Sequence, residues 1–281
     1  MSPEEFCTND RGMKMTAKTE SERFQSGAEK YAAYLETPEG RLRSDLAFAN
    51  LRDFTCMHQA THKESLCALD IGSGTGATAV CLARLGVHVT LLDSSAAMLD
   101  MAKRTAQGAG VTDKVVAQHG DATLLEDLFP AASFDVVLCH NVLEYLDDPI
   151  AVLCAAARTL RDSSAILSIL VRNRAGEVLK AAIQAGDLAV AENNLTAEWG
   201  QESLYGGKVR LFTPDTLQAM LKAASLAVIA ERGVRVLADY LPSRISRSAD
   251  YEGILDLERK LGRRPEYAAV ARYTQCFARL P

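Results

Sequence analysis

With 281 residues, 48% of them hydrophobic, the chain is long enough to bury a complete core, in one large domain or in one with an appendage. Its net charge of −5 argues against a uniformly basic nucleic-acid binder but leaves room for a local basic patch. The seven cysteines include no Cys-x-x-Cys pair, and no apolar run reaches the ~20 residues that span a bilayer. The N-terminus also lacks an apolar signal segment. We therefore expect a cytoplasmic protein with no membrane segment and no metal site.

The first 65 residues precede the main pattern. Residues 1–21 are polar and without apolar periodicity, which predicts a disordered tail. Residues 24–65 carry apolar residues at helical spacing, and a break at residues 37–40 divides them into two helices, because its proline suits the first turn of the second. Arg43 falls in the first turns of that second helix, and residues 55–65 form a polar linker in this prediction.

The middle of the chain alternates between strand-like and helix-like segments. Such alternation predicts a parallel sheet covered by helices on both faces, with strand ends that meet in one crevice. The predicted strands are 66–71, 87–92, 114–118, 134–139, 164–171, 226–231 and 267–279, and the core helices are 77–85, 95–109, 123–128 and 149–160. The predicted fold is α/β, a doubly wound, mostly parallel seven-stranded Rossmann-like sheet within one domain of residues 22–281.

The glycine-rich turn after the first predicted strand is the segment around which this pattern is organised. Its spacing is Asp70-x-Gly72-x-Gly74-x-Gly76, with Ser73 between the first two glycines. The glycines let the backbone turn sharply, and the helix that follows offers free N–H groups. A dinucleotide site has Gly-x-Gly-x-x-Gly against a pyrophosphate, whereas a carboxylate before the first glycine suits a cationic ligand. The turn therefore predicts a nucleotide-like ligand with positive charge.

An acidic residue closes the second predicted strand. Asp93 lies 21 residues beyond Gly72, close to the ~20 expected of a carboxylate that accepts both ribose hydroxyls. The alternative role for Asp93 is to cap the next helix, and we assign that role to Ser94 or Ser95 instead.

Two more candidates follow the third and fourth strands. Asp121 and Ala122 come after the third strand, where Gly-Asp is equally good chemistry for a simple turn. His140 ends the fourth strand. A lone histidine is more often structural than catalytic, so we assign His140 a ligand-facing role and not that of a general base.

Together these motifs resemble those of class I S-adenosylmethionine-dependent methyltransferases. The acidic glycine turn with Asp93 resembles their first motif, and Phe134-Asp135 followed by the segment HNVLEYLDDP at residues 140–149 is common among them. The resemblance implies S-adenosylmethionine as the methyl donor and S-adenosylhomocysteine as the product. It also implies that Asp121 accepts from the adenine amino group.

The last third of the chain narrows the resemblance. Residues 233–241 (GVRVLADYL), 264–267 (RPEY) and 271–273 (ARY), with GRLR at 40–43, are similar to the CmoM family of bacterial methyltransferases. That family methylates the carboxylate of 5-carboxymethoxyuridine at the wobble position of tRNA. The resemblance implies that Arg43 pairs with the donor's carboxylate, although solvated surface charge is its alternative role. The implied donor contacts are Arg43, Gly72, Ser73, Asp93, Asp121, Ala122 and His140.

Residues 172–212 leave the core pattern and predict a helical lid over the substrate pocket, with helices at 175–186 and 187–197. A carboxylate acceptor is already ionised at neutral pH, so it needs an orienting cation and no general base. The chain offers no convincing base–nucleophile pair, and no catalytic residue is assigned. The candidate substrate-binding residues are Arg172, Arg174, Arg210, Arg235 and Tyr240.

Two features bear on the acceptor and point in different directions. The lid lacks the lysine-rich run expected of the tRNA enzymes and holds only Lys208 and Arg210 between residues 196 and 210. Residues 232–281, however, carry ten Lys and Arg against six Asp and Glu. Either tRNA or a small molecule is therefore the expected substrate, and a non-catalytic nucleoside-binding regulator is the least favoured alternative. The candidate phosphate-facing patch, alternatively a solvated helix end, consists of Arg244, Arg247, Arg259, Lys260, Arg263 and Arg264.

Overall fold

The computed structural model describes residues 20–59, 65–202, 204–242, 245 and 248–281. The predicted tail lies outside the described residues except for its last two positions, which begin the first helix. Within the described ranges, no helix is long and apolar enough to cross a membrane.

Helices and strands alternate along most of the chain. The α-helices are α1 (Glu20–Glu36), α2 (Pro38–Gln59), α3 (Ala77–Arg84), α4 (Ala96–Gly108), α5 (Leu125–Leu128), α6 (Pro149–Thr159), α7 (Arg174–Leu179), α8 (Leu188–Asn194), α9 (Pro214–Ala223), α10 (Tyr251–Gly262) and α11 (Pro265–Ala268). The β-strands are β1 (Cys67–Ile71), β2 (His88–Asp93), β3 (Val115–His119), β4 (Val136–His140), β5 (Ile166–Arg172), β6 (Trp199–Gln201), β7 (Lys208–Arg210), β8 (Ala227–Val234) and β9 (Tyr273–Arg279).

Seven of the strands form one sheet in the order β3-β2-β1-β4-β5-β9-β8. Strands β1 to β5 pair in parallel, and β9 is antiparallel to both of its neighbours. This confirms the predicted doubly wound, mostly parallel seven-stranded sheet. The strand order reverses between β1 and β4, and in such sheets ligands bind at that switch point, outside the carboxyl ends of the strands.

Alternate residues of β1 supply the two cores that lie on either face of the sheet. Leu69 and Ile71 pack with α6 residues such as Leu153, whereas Ala68 packs with Leu82 of α3. A parallel strand covered on both faces is apolar at nearly every position, because each side chain meets a helix. The buried carboxylate of Asp70 in this strand is therefore an exception that needs a role.

The predicted lid is helical only in its first half. α7 continues into a π-helical turn, Lys180–Gln184, and α8 follows, but β6 and β7 then form a two-stranded antiparallel sheet that the sequence pattern did not indicate. The ends of the insertion are tied together, because the Phe212 N–H donates to the Arg172 carbonyl at 3.0 Å. The insertion thus leaves and rejoins the core beside the end of β5.

Two predicted boundaries were wrong by five residues or more. The linker expected from residue 55 begins later, because α2 continues to Gln59; Thr55 Oγ1 donates to the Leu51 carbonyl at 3.4 Å within that helix. The last strand does not begin at residue 267 but at Tyr273. Pro265 occupies the first turn of α11 there, a position that proline favours.

A buried carboxylate fixes the turn after β8. Glu258 of α10 is fully buried and accepts from three successive N–H groups, those of Val236, Leu237 and Ala238, at 2.6, 3.0 and 2.7 Å. The residue before them, Arg235, has a left-handed φ of 61°, which costs a non-glycine residue about 1–3 kcal/mol. The three hydrogen bonds therefore hold Arg235 in a conformation that it would otherwise avoid.

We predict that Glu258→Ala lowers the free energy of unfolding by about 3 kcal/mol or more, because two buried N–H groups and a partly buried one lose their acceptor. Denaturant unfolding of the purified protein measures this change. Glu252→Ala, at an exposed position of the same helix, should change it by no more than about 0.5 kcal/mol. Equal effects of the two substitutions would contradict the role given to Glu258.

Candidate active site

The glycine-rich loop after β1 forms one wall of the site. Gly72 and Gly74 have positive φ values of 64° and 53°, and a Cβ on Gly72 would stand 2.3 Å from Cγ2 of Val142. Larger residues are therefore disfavoured at these two positions of the loop. The Ser73 N–H donates to the Leu92 carbonyl at 3.0 Å, which fixes the loop to the end of β2.

Two carboxylates lie beside this loop. Asp93 accepts from the N–H groups of Gly74 and Ser95, both at 2.8 Å, whereas the buried Asp70 carboxylate accepts no hydrogen bond from the described part of the chain. Burial and then the charge of Asp93 raise the pKa of Asp70 to about 7, and burial also raises the pKa of Asp93. Ser95 caps α4 by accepting from the Met98 N–H, so the cap falls on one of the two serines expected to provide it.

His140 ends β4 and is held by buried side chains. Its Nε2 lies 2.9 Å from Oγ of Ser168, and that hydroxyl accepts from the Gln275 amide, which also donates to the Ala47 carbonyl. The Ser168 oxygen has two lone pairs, so its hydroxyl can either donate to Nε2 or accept from an Nε2–H while it accepts from Gln275. Burial and then the charge of Arg43 lower the pKa of His140 to about 3, so the ring is neutral at physiological pH.

Asp121 and Ala122 lie beyond the end of β3, and both line the cavity described below. Oδ1 of Asp121 accepts from the N–H and the hydroxyl of Thr123, each at 2.8 Å, and so caps a short 3₁₀ turn. Asp121 thus stabilises a turn, as the alternative interpretation of the sequence predicts. This turn occupies only one of its two carboxylate oxygens.

These loops border a cavity of about 500 Å³ at the carboxyl ends of the strands. Besides the glycine loop, Asp93 and His140, its lining includes five cationic side chains. It also includes an aromatic cluster in which Phe24 makes edge contacts to Tyr145 and Tyr205, with ring centroids 5.0 and 5.1 Å apart. The five cations are Arg43, Arg172, Lys180, Arg235 and Arg272.

Two of the arginines are paired with acidic residues of the insertion. Arg172 contacts Glu202 at 2.7 Å and Glu177 at 3.2 Å. Arg272 contacts the same Glu177 at 2.8 Å. All four side chains are largely buried, so the carboxylates offset charges that solvent does not reach.

The other two arginines differ in their partners. Arg235 pairs with Asp239 and also donates to the Tyr34 hydroxyl at 3.0 Å. Arg43 donates to the Tyr31 hydroxyl at 2.8 Å, but no carboxylate oxygen of the described residues lies within 4 Å of it. The buried guanidinium of Arg43 is thus a site where an anionic ligand group would be stabilised.

These four arginines, here called the arginine cluster, surround Tyr273 of β9. The guanidinium carbons of Arg43 and Arg235 both lie 5.9 Å from the centre of its ring, and Arg172 is its cross-strand partner. Burial opposes ionisation of the phenol, but the four positive charges outweigh it and lower the pKa of Tyr273 to about 8.

The candidate substrate-binding residues fall into two groups. Arg172 and Arg235 line the cavity, whereas Arg210 lies 4.6 Å from the ring of Trp199 on the two-stranded sheet and is not part of the lining. Tyr240 donates to the Gly176 carbonyl at 3.4 Å and is not part of the lining either. Arg174, at the start of α7, also lies outside it.

Sequence reasoning missed several lining residues. Arg272 and Tyr273 were quoted for the resemblance but not as site residues, although the alternation of a strand places Tyr273 opposite Arg172. Tyr31 and Tyr34 have the i, i+3 spacing of an ordinary apolar helix face, and only the tertiary structure shows that their hydroxyls contact arginines. Lys180 carried no local signal.

The candidate basic patch is partly neutralised. Lys260 contacts Asp256 at 2.6 Å, and Arg263 makes a two-oxygen contact to Asp53 at 2.6 and 2.8 Å. Two of its members, at positions 244 and 247, lie outside the described residues. Among the described residues, no group of three or more His, Cys, Asp or Glu side chains is arranged to hold a metal ion.

Known proteins of similar sequence indicate which family this chain belongs to. Residues 69–168 match the family described as a methyltransferase domain. The tRNA 5-carboxymethoxyuridine methyltransferase of Escherichia coli K12 is 30% identical over 265 residues, which cover 92% of this chain and 96% of that enzyme. The ubiquinone biosynthesis O-methyltransferase of Hahella chejuensis is 29% identical over 168 residues, 59% of this chain and 65% of the relative.

A solved structure agrees at the level of the fold. Magnesium protoporphyrin IX methyltransferase from Synechocystis PCC 6803, with bound SAH, superposes with a TM-score of 0.62 at 12% identity, covering 93% of this chain and 98% of that one. The fold and the matched domain define an S-adenosylmethionine-dependent methyltransferase of class I. More narrowly, the chain belongs to the family of the tRNA 5-carboxymethoxyuridine methyltransferase of E. coli.

We predict that one tyrosine of the free protein ionises near pH 8, well before tyrosines of ordinary pKa near 10, because the arginine cluster favours the phenolate of Tyr273. The near-ultraviolet absorbance of tyrosinate during a pH titration measures this. Tyr273→Phe should remove the early step, and Tyr267→Phe, at an exposed position, should leave it intact. A wild-type titration without a step below about pH 9 contradicts the prediction.

Proposed function

We propose that this methyltransferase forms a methyl ester on the carboxylate of 5-carboxymethoxyuridine at the wobble position of tRNA, acting in the cytoplasm. The observation that carries the proposal is the 30% identity to the E. coli enzyme along nearly the whole of both chains. The five cationic side chains in the cavity lining support it, because the acceptor group is an anion.

The residues around the glycine loop fit S-adenosylmethionine, whose bound form supplies a methyl group on a sulfonium. The unbonded carboxylate of Asp70 suits a cationic ligand, and Oγ of Ser73 is buried with no hydrogen-bond partner among the described residues. Both are groups that a ligand would satisfy. We assign ribose binding to Asp93, adenine binding to Asp121 with Ala122, the donor's carboxylate to Arg43, and further contacts to Gly72, Gly74, Gly76 and His140.

The site suits an acceptor that arrives already ionised. A carboxylate with a pKa of about 4 needs no base at neutral pH. His140, whose pKa is lowered to about 3, takes up no proton there. The protein then has to orient the carboxylates of the donor and the acceptor and to exclude water. We assign the exclusion of water to the aromatic cluster.

A small-molecule carboxylate is the second candidate acceptor. The pairing of Lys260 with Asp256 and of Arg263 with Asp53 favours it, because charges already paired contribute less to phosphate binding. Both acceptors would present a carboxylate to the cavity. The choice between tRNA and a small molecule therefore depends on the protein surface outside the cavity.

We predict that the affinity for S-adenosylmethionine falls as the pH drops through about 7. Asp70 must be ionised to hold a cationic ligand, and its raised pKa means that the free protein binds a proton there first. Calorimetry between about pH 5 and pH 8 should show the dissociation constant rising by up to about tenfold per pH unit below 7. Asp70→Asn should bind S-adenosylmethionine weakly, and its affinity should depend less on pH. If this variant keeps the steep pH dependence of the wild type, the role given to Asp70 is wrong.

The acceptor is tested with purified protein, radiolabelled S-adenosylmethionine and bulk tRNA from cells that lack their own wobble methyl ester. We expect label to enter the tRNA and to be released by mild alkali, as an ester requires. Binding of the cofactor without any labelling of tRNA would refute the tRNA proposal and favour the small carboxylate.

Matched variants separate cofactor binding from unfolding in that experiment. Asp93→Ala should reduce labelling by about 100-fold or more, because ribose contacts position the donor. Asp100→Ala, an exposed aspartate on α4, should label as the wild type does. Full labelling by Asp93→Ala would contradict its assignment to the ribose.

A further inference from the structure

The charges in the cavity lining are unequally balanced. Arg172, Arg235 and Arg272 each have a carboxylate oxygen within 4 Å. For Arg43 and Lys180, no carboxylate oxygen of the described residues lies that close. Among the described residues, two cations of the cavity lining therefore have no acidic partner.

The two unpaired cations lie in different parts of the site. Arg43 belongs to α2 and also lines a small recess with Asp70, Gly72 and Ser73, on the side of the glycine loop. Lys180 belongs to the insertion and does not line that recess. With Arg43 assigned to the donor's carboxylate, Lys180 is the cation that remains for a second anion.

The local backbone presents Lys180 together with a second polar group. It opens the π-helical turn Lys180–Gln184, which the Ala185 N–H closes by donating to the Lys180 carbonyl at 3.1 Å. The wider turn places its first and last residues on one side, and both Lys180 and Gln184 line the cavity. π-Helical turns of this kind occur often at functional sites.

The surroundings of Lys180 favour an anion. Burial and then the charge of Arg272 lower the pKa of the ammonium group, and Glu177, whose charge acts to raise that pKa, is already shared by Arg172 and Arg272. A carboxylate beside Lys180 would offset both effects, and an ion pair is stronger where solvent is partly excluded.

We propose that Lys180 binds the carboxylate of the methyl acceptor, and that Gln184 beside it reads a polar edge of the attached base. The amide of glutamine offers both a donor and an acceptor for such an edge. This inference rests on the proposed function, since it assigns the residues that would recognise that acceptor.

The test compares Lys180→Met and Lys180→Arg with the wild type in steady-state methylation of tRNA carrying 5-carboxymethoxyuridine. Lys180→Met should raise the KM for tRNA by about 10- to 100-fold, because a charged hydrogen bond is lost, while the dissociation constant for S-adenosylhomocysteine stays within about twofold. Lys180→Arg should recover most of the loss. Lys222→Met, an exposed lysine of α9, should behave as the wild type does.

A second measurement isolates the acceptor charge. The free carboxymethoxyuridine nucleoside should inhibit the wild type more strongly than its neutral amide, and Lys180→Met should lose that discrimination. If Lys180→Met has the kinetics of the wild type, the role given to Lys180 is wrong and the proposed function is unaffected. A wild-type enzyme that binds cofactor but methylates no such tRNA overturns the proposed function, and this inference with it.

Discussion

Four largely buried guanidinium groups gather around one tyrosine, and their charges must be neutralised or the protein loses stability. Glu177, Glu202 and Asp239 neutralise three of them, and the phenol of Tyr273 responds to all four. The charges on Arg43 and on Lys180 at the π-helical turn have no acidic partner among the described residues. A cavity with this charge balance is incomplete without anions. That constraint agrees with a methyl donor that carries a carboxylate and with an acceptor group that is itself a carboxylate.

The fold supports this charge arrangement from several separate parts of the chain. Strand β9 brings Tyr273 between the ends of β5 and β8, so that Arg172 lies directly opposite it. Glu258 of α10 holds the left-handed turn that carries Arg235. The N-terminal helices supply Arg43, and the insertion supplies acidic partners. Because no single segment builds the cavity, its chemistry depends on correct packing of elements that are distant in sequence.

Most of the fold could be predicted from the sequence because the strands are apolar runs that alternate with helical periods. The donor side of the site was equally visible, since Asp70, the glycines and Asp93 follow strand ends at fixed spacing. Gly72, Gly74 and Asp93 line the cavity, and Asp70 lines the small recess that shares Gly72 with it, which agrees with the expectation, while their roles stay predictions. The acceptor side was not visible. The strands β6 and β7 are only three residues long, and Lys180 sits in a helix whose widened turn has no sequence signal. Tyr31 looked like an ordinary core residue.

The proposed carboxylate acceptor is the most direct point to test, since the described cavity lining carries five cationic side chains and a histidine that is neutral at physiological pH. A competition measures this directly. The enzyme is given equal amounts of tRNA with 5-carboxymethoxyuridine and tRNA with a 5-hydroxyl group at the same uridine, and the methylated nucleosides are identified by mass. We expect methyl groups only on the carboxymethoxy nucleoside. Methylation of the hydroxyl nucleoside to a comparable extent would contradict the account.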